Sequence, residues 1–177
     1  MYDEPEIVTQ VHYEFIKAGS KVLSLNNYTA TPQRLREYGN SEQFSNSHDI
    51  AASVLMRAIN RANINRNEID IAGSLPPLVA SYVASEALDF DTSVEQYKEL
   101  VAVQQPYTDL FLIETMSNIS ETKAAISALK EFDEFIKKLV DSGIRVTVGQ
   151  DTKDPDTPDS IFPNNWLSFH KKNKVII

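Results

Sequence analysis

The chain contains no cysteine, no long apolar run and fewer basic than acidic residues. The absence of cysteine excludes disulfides, thiolate nucleophiles and metal sites with sulfur ligands. No window approaches the roughly 18 consecutive apolar residues that a membrane span needs, so the sequence predicts no membrane partner. The net charge of −8, from 17 basic and 25 acidic residues, repels phosphate backbones and predicts no nucleic-acid partner.

The N-terminal segment also lacks the features of an export signal. Residues 1–6 are acidic, and no basic region leads from them into an apolar stretch. We therefore expect a soluble, cytoplasmic protein. Its 177 residues suffice for one ordinary domain, and 42% hydrophobic with 24% charged residues is the composition of a globular chain with a buried core.

Helical and extended patterns alternate along the chain. Apolar residues at helical spacing, among them Ile7, Val11 and Phe15, mark the first helix. Ser47 is predicted to cap the second helix, and Ser93 is predicted to cap the third as part of a capping box. The predicted helices span residues 5–18, 47–62, 93–105 and 118–142, and the predicted strands span residues 21–25, 69–75, 109–113 and 144–148.

This alternation predicts an α/β fold built from βα units with parallel strands. Residues 29–46 are predicted to be a long loop with a helical turn, and residues 166–170 and 174–177 are predicted to pair as a hairpin after an aspartate-rich loop. A closed barrel needs eight strands and about 250 residues, so four parallel strands predict only a partial barrel. We expect self-association into a homo-oligomer, or rearrangement into a flat sandwich, to cover its exposed edge.

Polar residues follow three of the predicted strands, at the edge where parallel α/β folds bind their ligands. Asn26 and Tyr28 follow the first strand, Ser74 ends the second, and Glu114 comes directly after the third. The carboxylate of Glu114 is expected at the rim of an apolar sheet, where it can receive an ammonium group. The alternatives are that Glu114 is an exposed loop carboxylate or a helix cap, and that Asn26 and Tyr28 are turn residues.

Five segments are informative in their order along the chain: Val8–His12, Ala18–Tyr28, Ala72–Pro77, Ser81–Tyr82 and Leu112–Thr115. They resemble segments of homocysteine S-methyltransferases, in the same order. The resemblance covers about residues 5–130 and implies a (β/α)₈ barrel that moves a methyl group from a donor such as S-methylmethionine to homocysteine.

The resemblance also implies roles for particular residues. Glu114 would hold the amino group of homocysteine, and Asn26, Tyr28 and Ser74 would line the pocket. Residues 1–130 would then form a half-barrel, because the opening glycine-rich strand of the family is missing. The zinc that the family uses has no cysteine ligands here, so we expect no cofactor and no methyl transfer by this chain alone.

The three histidines do not replace those ligands. His12, His48 and His170 fall on separate predicted elements, and each is interpreted as a surface or packing residue.

The tail, residues 131–177, resembles a different family. Its segments from Phe132 onward, and above all the run Phe162–Trp166, are similar to amidinotransferases and amidinohydrolases that act on citrulline or arginine-like side chains. That resemblance implies that Asn164 and Asn165 contact a substrate. The two resemblances meet inside the long fourth helix, which suggests a gene fusion, an assembly artefact or an engineered chimera.

Three functional hypotheses follow. The chain is a truncated methyltransferase-like protein that binds an amino acid such as homocysteine, a remnant of a citrulline or arginine hydrolase, or a non-catalytic interaction protein.

Overall fold

A computed structural model describes residues 3–131, 165–169 and 175–176. The predicted strand at 144–148, the second half of the predicted fourth helix, Asn164 and His170 lie outside these residues. Within them, no helix is long and apolar enough to cross a membrane. The helices are α1 (Pro5–Lys17), α2 (Pro32–Glu37), α3 (Phe44–Ala62), α4 (Phe90–Gln104) and α5 (Ile119–Glu131), and the strands are β1 (Val22–Ser24), β2 (Asp70–Leu75), β3 (Leu110–Glu114), β4 (Asn165–Phe169) and β5 (Val175–Ile176).

The described strands form one open sheet in the order β1-β2-β3-β4-β5. The first three strands run parallel, with Ser24 beside Ala72 and Ser74 beside Leu112. This confirms the predicted α/β fold with a parallel sheet. Strand β4 then pairs antiparallel with β3, and β5 pairs antiparallel with β4, which confirms the predicted C-terminal hairpin.

Helices cover the parallel strands and divide the core into two main clusters. One cluster joins α1 and α3 to β1 and β2, and its centre includes Leu55 and Ile71. The other joins α4 and α5 to β2 and β3, around Tyr97 and Phe111. Burying one such side chain contributes roughly 1.5–3 kcal/mol, so these clusters hold the strand ends at fixed positions.

The predicted starts of α3 and α4 are wrong. Ser47 lies inside α3, where its hydroxyl donates to the carbonyl of Gln43 (2.8 Å), and Ser93 lies inside α4. The N-cap of α4 is Asp89, which accepts from the backbone N–H of Thr92 (3.0 Å). A serine hydroxyl can bond to the preceding helical turn, so serine alone does not mark a helix start.

The loop predicted over residues 29–46 is largely helical. Thr31 caps α2 by accepting from the backbone N–H of Arg34 (3.2 Å), and Pro32 occupies the first turn. A short 3₁₀ turn then leads into α3.

Helix α1 turns its apolar stripe away from the core. Thr9, His12 and Ile16 are buried, whereas the side chains that mark the helix in the sequence are exposed. Ile7 is 60% exposed and Phe15 is 56% exposed. His12 is thus a packing residue, as interpreted from the sequence.

Candidate functional site

The carboxyl ends of β2 and β3 bring Ser74 and Glu114 together. The two strands are parallel neighbours, so their ends meet at one edge of the sheet. The hydroxyl of Ser74 donates to Oε1 of Glu114 across that edge (2.6 Å). Glu114 is the last residue of β3 and is partly buried, so it is neither an exposed loop carboxylate nor a helix cap.

Glu114 is a carboxylate in an unfavourable environment. Burial raises the pKa of Glu114 above its ordinary value, and the hydrogen bond from Ser74 lowers it by a smaller amount. Among residues 3–131, no ion pair reaches this carboxylate. The next residue, Thr115, has a left-handed backbone (φ 60°), which is strained for a β-branched side chain. Because burial disfavours the ionised form of Glu114, a positively charged ligand group beside it would stabilise that form.

The loop after β1 places Asn27, and not Asn26, inside the molecule. Asn26 is exposed, whereas Asn27 is buried. The side-chain amide of Asn27 donates one hydrogen to Gln104 Oε1 (2.9 Å) and lies 2.7 Å from His48 Nδ1. That Asn26 lines a ligand pocket therefore stays a prediction. Its neighbour Asn27 takes part in the buried network.

His48 is neutral in this network, and its tautomer follows from its partners. Nε2 lies 3.1 Å from the carbonyl oxygen of Ala30, which can only accept, so Nε2 carries the hydrogen. Nδ1 is then the acceptor for Asn27. Burial lowers the pKa of His48 to about 4, against smaller opposing effects of the Ala30 carbonyl and Asp49.

Gln104 links this network to Ser74. Its Nε2 donates to the Ser74 carbonyl (2.9 Å), and its Oε1 accepts from the Ser74 backbone N–H (2.9 Å). The network of Asn27, His48, Gln104 and Ser74 is fully internal. Sequence reasoning missed Asn27, His48 and Gln104 as partners. The available signal was that Gln104 lies one helical turn after Leu100, on the buried face of α4.

Tyr28 joins the loops that follow β1 and β2. Its hydroxyl lies 2.6 Å from Ser81 Oγ, and the guanidinium of Arg34 stands 5.4 Å from the centre of its ring. Arg34 also donates from Nε to the carbonyl of Val79 (2.6 Å) and from Nη1 to the carbonyl of Tyr28 (3.3 Å). The predicted residue Tyr28 therefore has a defined place at this edge of the sheet.

Polar side chains fix the loop after β2. Glu121 accepts from the backbone N–H of Leu78 (2.8 Å), and Thr31 donates to the carbonyl of the same residue (2.6 Å). Tyr97 donates to the carbonyl of Pro76 (2.8 Å). Burial raises the pKa of Glu121 and raises the pKa of Tyr97 well above its ordinary value. The loop that borders Ser74 is thus held from three elements.

One predicted site residue of the tail pairs with this edge of the sheet through its backbone. Asn165 begins β4 and is the register partner of Glu114. Asn164 lies outside the described residues, so its predicted contact stays a prediction.

The part of the chain that the structure describes does not offer the donor set of a zinc site. It has no cysteine, and residues 3–131 contain no group of three histidine, aspartate or glutamate side chains that could hold a metal ion. The residues present therefore do not fit the zinc that the resemblance implies, and no chemical step is assigned to it.

The chain has relatives among known proteins along most of its length. The family model "Homocysteine S-methyltransferase" matches residues 1–162, a range that runs past residue 130. The homocysteine S-methyltransferase YbgG of Bacillus subtilis is 25% identical over 189 residues, which cover 97% of this chain and 58% of that protein. Betaine–homocysteine S-methyltransferase 1 of Danio rerio is 26% identical over 129 residues, which cover 72% of this chain and 31% of that protein.

Two crystal structures of the homocysteine methyltransferase MmuM from Escherichia coli share the fold. The oxidized form aligns with a TM-score of 0.64 and 20% identity, over 75% of this chain and 49% of that one. The metallated form gives 0.61 and 20%, over 73% and 49%. The chain spans 58% or less of each of these proteins, and its described strands form an open sheet in place of a closed barrel. On the extent of the family match, the chain belongs to the homocysteine S-methyltransferase family.

Proposed function

We propose that this chain binds homocysteine, or a closely similar amino acid, through the Ser74–Glu114 pair, and that it does not transfer a methyl group by itself. The observation that carries the proposal is the hydrogen bond between these side chains at the carboxyl edge of the sheet. It holds a partly buried carboxylate that has no cationic partner among residues 3–131.

The ammonium group of an amino acid is the complement of this carboxylate. It supplies a positive charge and three N–H donors to a group whose burial disfavours its ionised form. Hydrogen bonds between charged partners contribute about 1.5–3 kcal/mol, so Glu114 can contribute a substantial part of the affinity for a small ligand.

Methyl transfer has a further requirement that these residues do not meet. The acceptor sulfur must be present as a thiolate, and sulfur ligands on a metal are one way to stabilise it. This chain contributes no cysteine to such a centre. Its proposed part in the chemistry is to bind and orient the amino-acid end of the acceptor.

Calorimetry with homocysteine tests the binding site. Glu114→Gln keeps an acceptor for Ser74 but removes the charge, so we expect affinity to fall about 10- to 100-fold. Glu99→Gln is the matched control, because Glu99 is an exposed carboxylate that forms an ion pair with the exposed side chain of Arg36. A thiol acid without the amino group, 4-mercaptobutanoate, should bind the wild type and Glu114→Gln equally weakly.

Two results would contradict this proposal. One is the absence of any binding heat with millimolar homocysteine, and the other is an unchanged affinity of Glu114→Gln. Incubation with S-methylmethionine and homocysteine tests the second half of the proposal. Formation of methionine by the purified chain would overturn the claim that it does not transfer methyl groups.

Asn165 is the register partner of Glu114, so the backbone of one tail residue lies beside Glu114. We propose as the alternative that Asn164 and Asn165 bind the ureido or guanidino group of a citrulline- or arginine-like ligand. The double variant Asn164→Ala with Asn165→Ala should then abolish citrulline binding. Binding that survives both substitutions would remove this alternative.

A further inference from the structure

We infer that Gln104 and Asn27 are positioning residues for the ligand site, because they hold the backbone of Ser74 at the place where its hydroxyl meets Glu114. The inference deepens the proposed function and rests on it for its binding measurement. Its central measurement needs no ligand.

Gln104 continues the sheet at the point where β1 stops. The hydrogen bonds between β1 and β2 end with the one from the backbone N–H of Leu25, just after β1, to the carbonyl of Ala72 (2.9 Å). Two residues further along β2, the N–H and the carbonyl of Ser74 both bond to the side-chain amide of Gln104. One carboxamide thus satisfies the two backbone groups that a longer β1 would have paired.

The orientation of the Gln104 amide is itself determined. Its Oε1 accepts from Asn27 Nδ2 as well as from Ser74, and its Nε2 also donates to the carbonyl of Leu100 (3.2 Å). Asn27 must present its NH₂ group, because the Nδ1 atom of neutral His48 is an acceptor. Reversing either amide would therefore place like groups against each other.

This arrangement leaves one group unsatisfied. With both hydrogens of Asn27 Nδ2 committed, its buried Oδ1 has no hydrogen-bond partner among residues 3–131. An unpaired buried acceptor is costly, but an apolar side chain at this position would leave His48 Nδ1 as an unpaired acceptor and would release the Gln104 amide. Asn27 thus orients Gln104 and, through it, the backbone of Ser74.

A network that only stabilises the fold and a network that positions Ser74 differ in their effect on the pKa of Glu114. The hydrogen bond from Ser74 lowers the pKa of Glu114, so a variant that displaces Ser74 should raise that pKa further. A variant that only destabilises the fold should leave it unchanged while the protein remains folded.

The experiment compares Gln104→Met with Val101→Ala. Methionine has a similar length but cannot bond to the backbone of Ser74, whereas Val101 is a buried neighbour on α4 that lies outside the network. The carboxyl carbon of Glu114 is titrated by ¹³C NMR in both variants, in Ser74→Ala and in the wild type. We expect Gln104→Met and Ser74→Ala to raise the pKa of Glu114 alike and their combination to add nothing, while Val101→Ala matches the wild type.

Homocysteine affinity supplies the second readout. We expect Gln104→Met to weaken binding about 5- to 10-fold, as loss of one positioned hydrogen bond does, and Val101→Ala to leave it unchanged. If Gln104→Met does not fold, Asn27→Ser replaces it, because serine removes the bond that fixes the orientation of the Gln104 amide and so loosens the hold of Gln104 on Ser74. We expect Asn27→Ser also to raise the pKa of Glu114 and to weaken homocysteine binding.

Two outcomes would overturn the inference. One is a Glu114 titration that is identical in the wild type and in the folded network variant, and the other is an equal displacement in Val101→Ala. If the wild type fails to bind homocysteine while the titration results hold, the proposed function is wrong and the positioning role stands.

Discussion

Two junctions lie side by side along one edge of the sheet, and they are built from opposite chemistry. Between β1 and β2, the junction consists of neutral, buried groups: the amides of Asn27 and Gln104 and the imidazole of His48. Between β2 and β3, it consists of a hydroxyl and a partly buried carboxylate, Ser74 and Glu114. The first junction is internal and complete but for one acceptor, whereas the second contains a carboxyl group with no cationic partner among residues 3–131.

The difference shows how a sheet edge can separate support from binding. Neutral amides carry no net charge, so burying them with partners costs little beyond desolvation. A carboxylate keeps its charge only at an electrostatic cost, which becomes useful when a cation arrives. Acid should therefore affect the two junctions with opposite sign.

The largest expected effect is the loss of stability caused by protonation of His48. Its folded pKa is about 4 and its ordinary value is 6.5, so the unfolded chain takes up the proton first. Stability contributed by the neutral ring is therefore lost as pH falls from 6.5 towards 4, by about 2 kcal/mol between pH 7 and pH 5. Urea denaturation of the wild type and His48→Gln at several pH values measures it. A stability difference that does not change with pH would contradict the assignment.

The next largest loss of stability is expected from a substitution in β2, the strand that both junctions share. A methyl group on Gly73 would stand 2.8 Å from two ring carbons of buried Phe111 and 3.1 Å from Thr108 Cγ2. Gly73→Ala is therefore expected to cost about 1–3 kcal/mol in free energy of unfolding. Adding Phe111→Leu should make the glycine substitution less costly. Equal costs in both backgrounds would show that the ring is not the obstacle.

A smaller effect, with the opposite pH dependence, is expected from Glu114→Gln. Burial raises the folded pKa of Glu114 above its ordinary value of 4.5, so the folded chain holds the proton to higher pH than the unfolded one. Stability is thus lost as pH rises from 4.5 through that raised pKa, and glutamine escapes the loss. The variant should become relatively more stable between pH 4 and pH 7. A wild type that gains on the variant over this range would reverse the sign.

The smallest effect should come from the outer face of α1, which touches neither junction. Val11 is 49% exposed and Phe15 is 56% exposed, so replacing either by serine should change the free energy of unfolding by less than about 0.5 kcal/mol. Thermal denaturation of both variants gives this baseline. A loss above about 1 kcal/mol would show that this face is covered in solution.

The sequence contained enough information to place the three parallel strands and the carboxylate. A continuous apolar run identifies β3, because a strand covered on both faces needs one. The end of β3 then locates Glu114 within one residue. The starts of α3 and α4 could not be obtained in this way, since the predicted caps Ser47 and Ser93 lie inside the helices and donate to the preceding carbonyls of Gln43 and Leu88.

The buried network could not be derived from the sequence. Asn26 and Asn27 are adjacent and alike, and strand alternation does not extend into the loop that decides which one points inward. Gln104 is polar on an apolar face, and only its tertiary partners explain its burial. The same holds for α1, whose apolar residues follow helical spacing while the core receives Thr9, His12 and Ile16.

The bond between Gln104 and Ser74 has a consequence for hydrogen exchange. An amide within a ladder of strands is released when two backbones separate, which is a cooperative opening. The amide of Ser74 bonds to a side chain, so its release needs a movement of the Gln104 carboxamide and no separation of two strand backbones. Its exchange with deuterium therefore reports how often this edge of the sheet loosens while the fold stays intact.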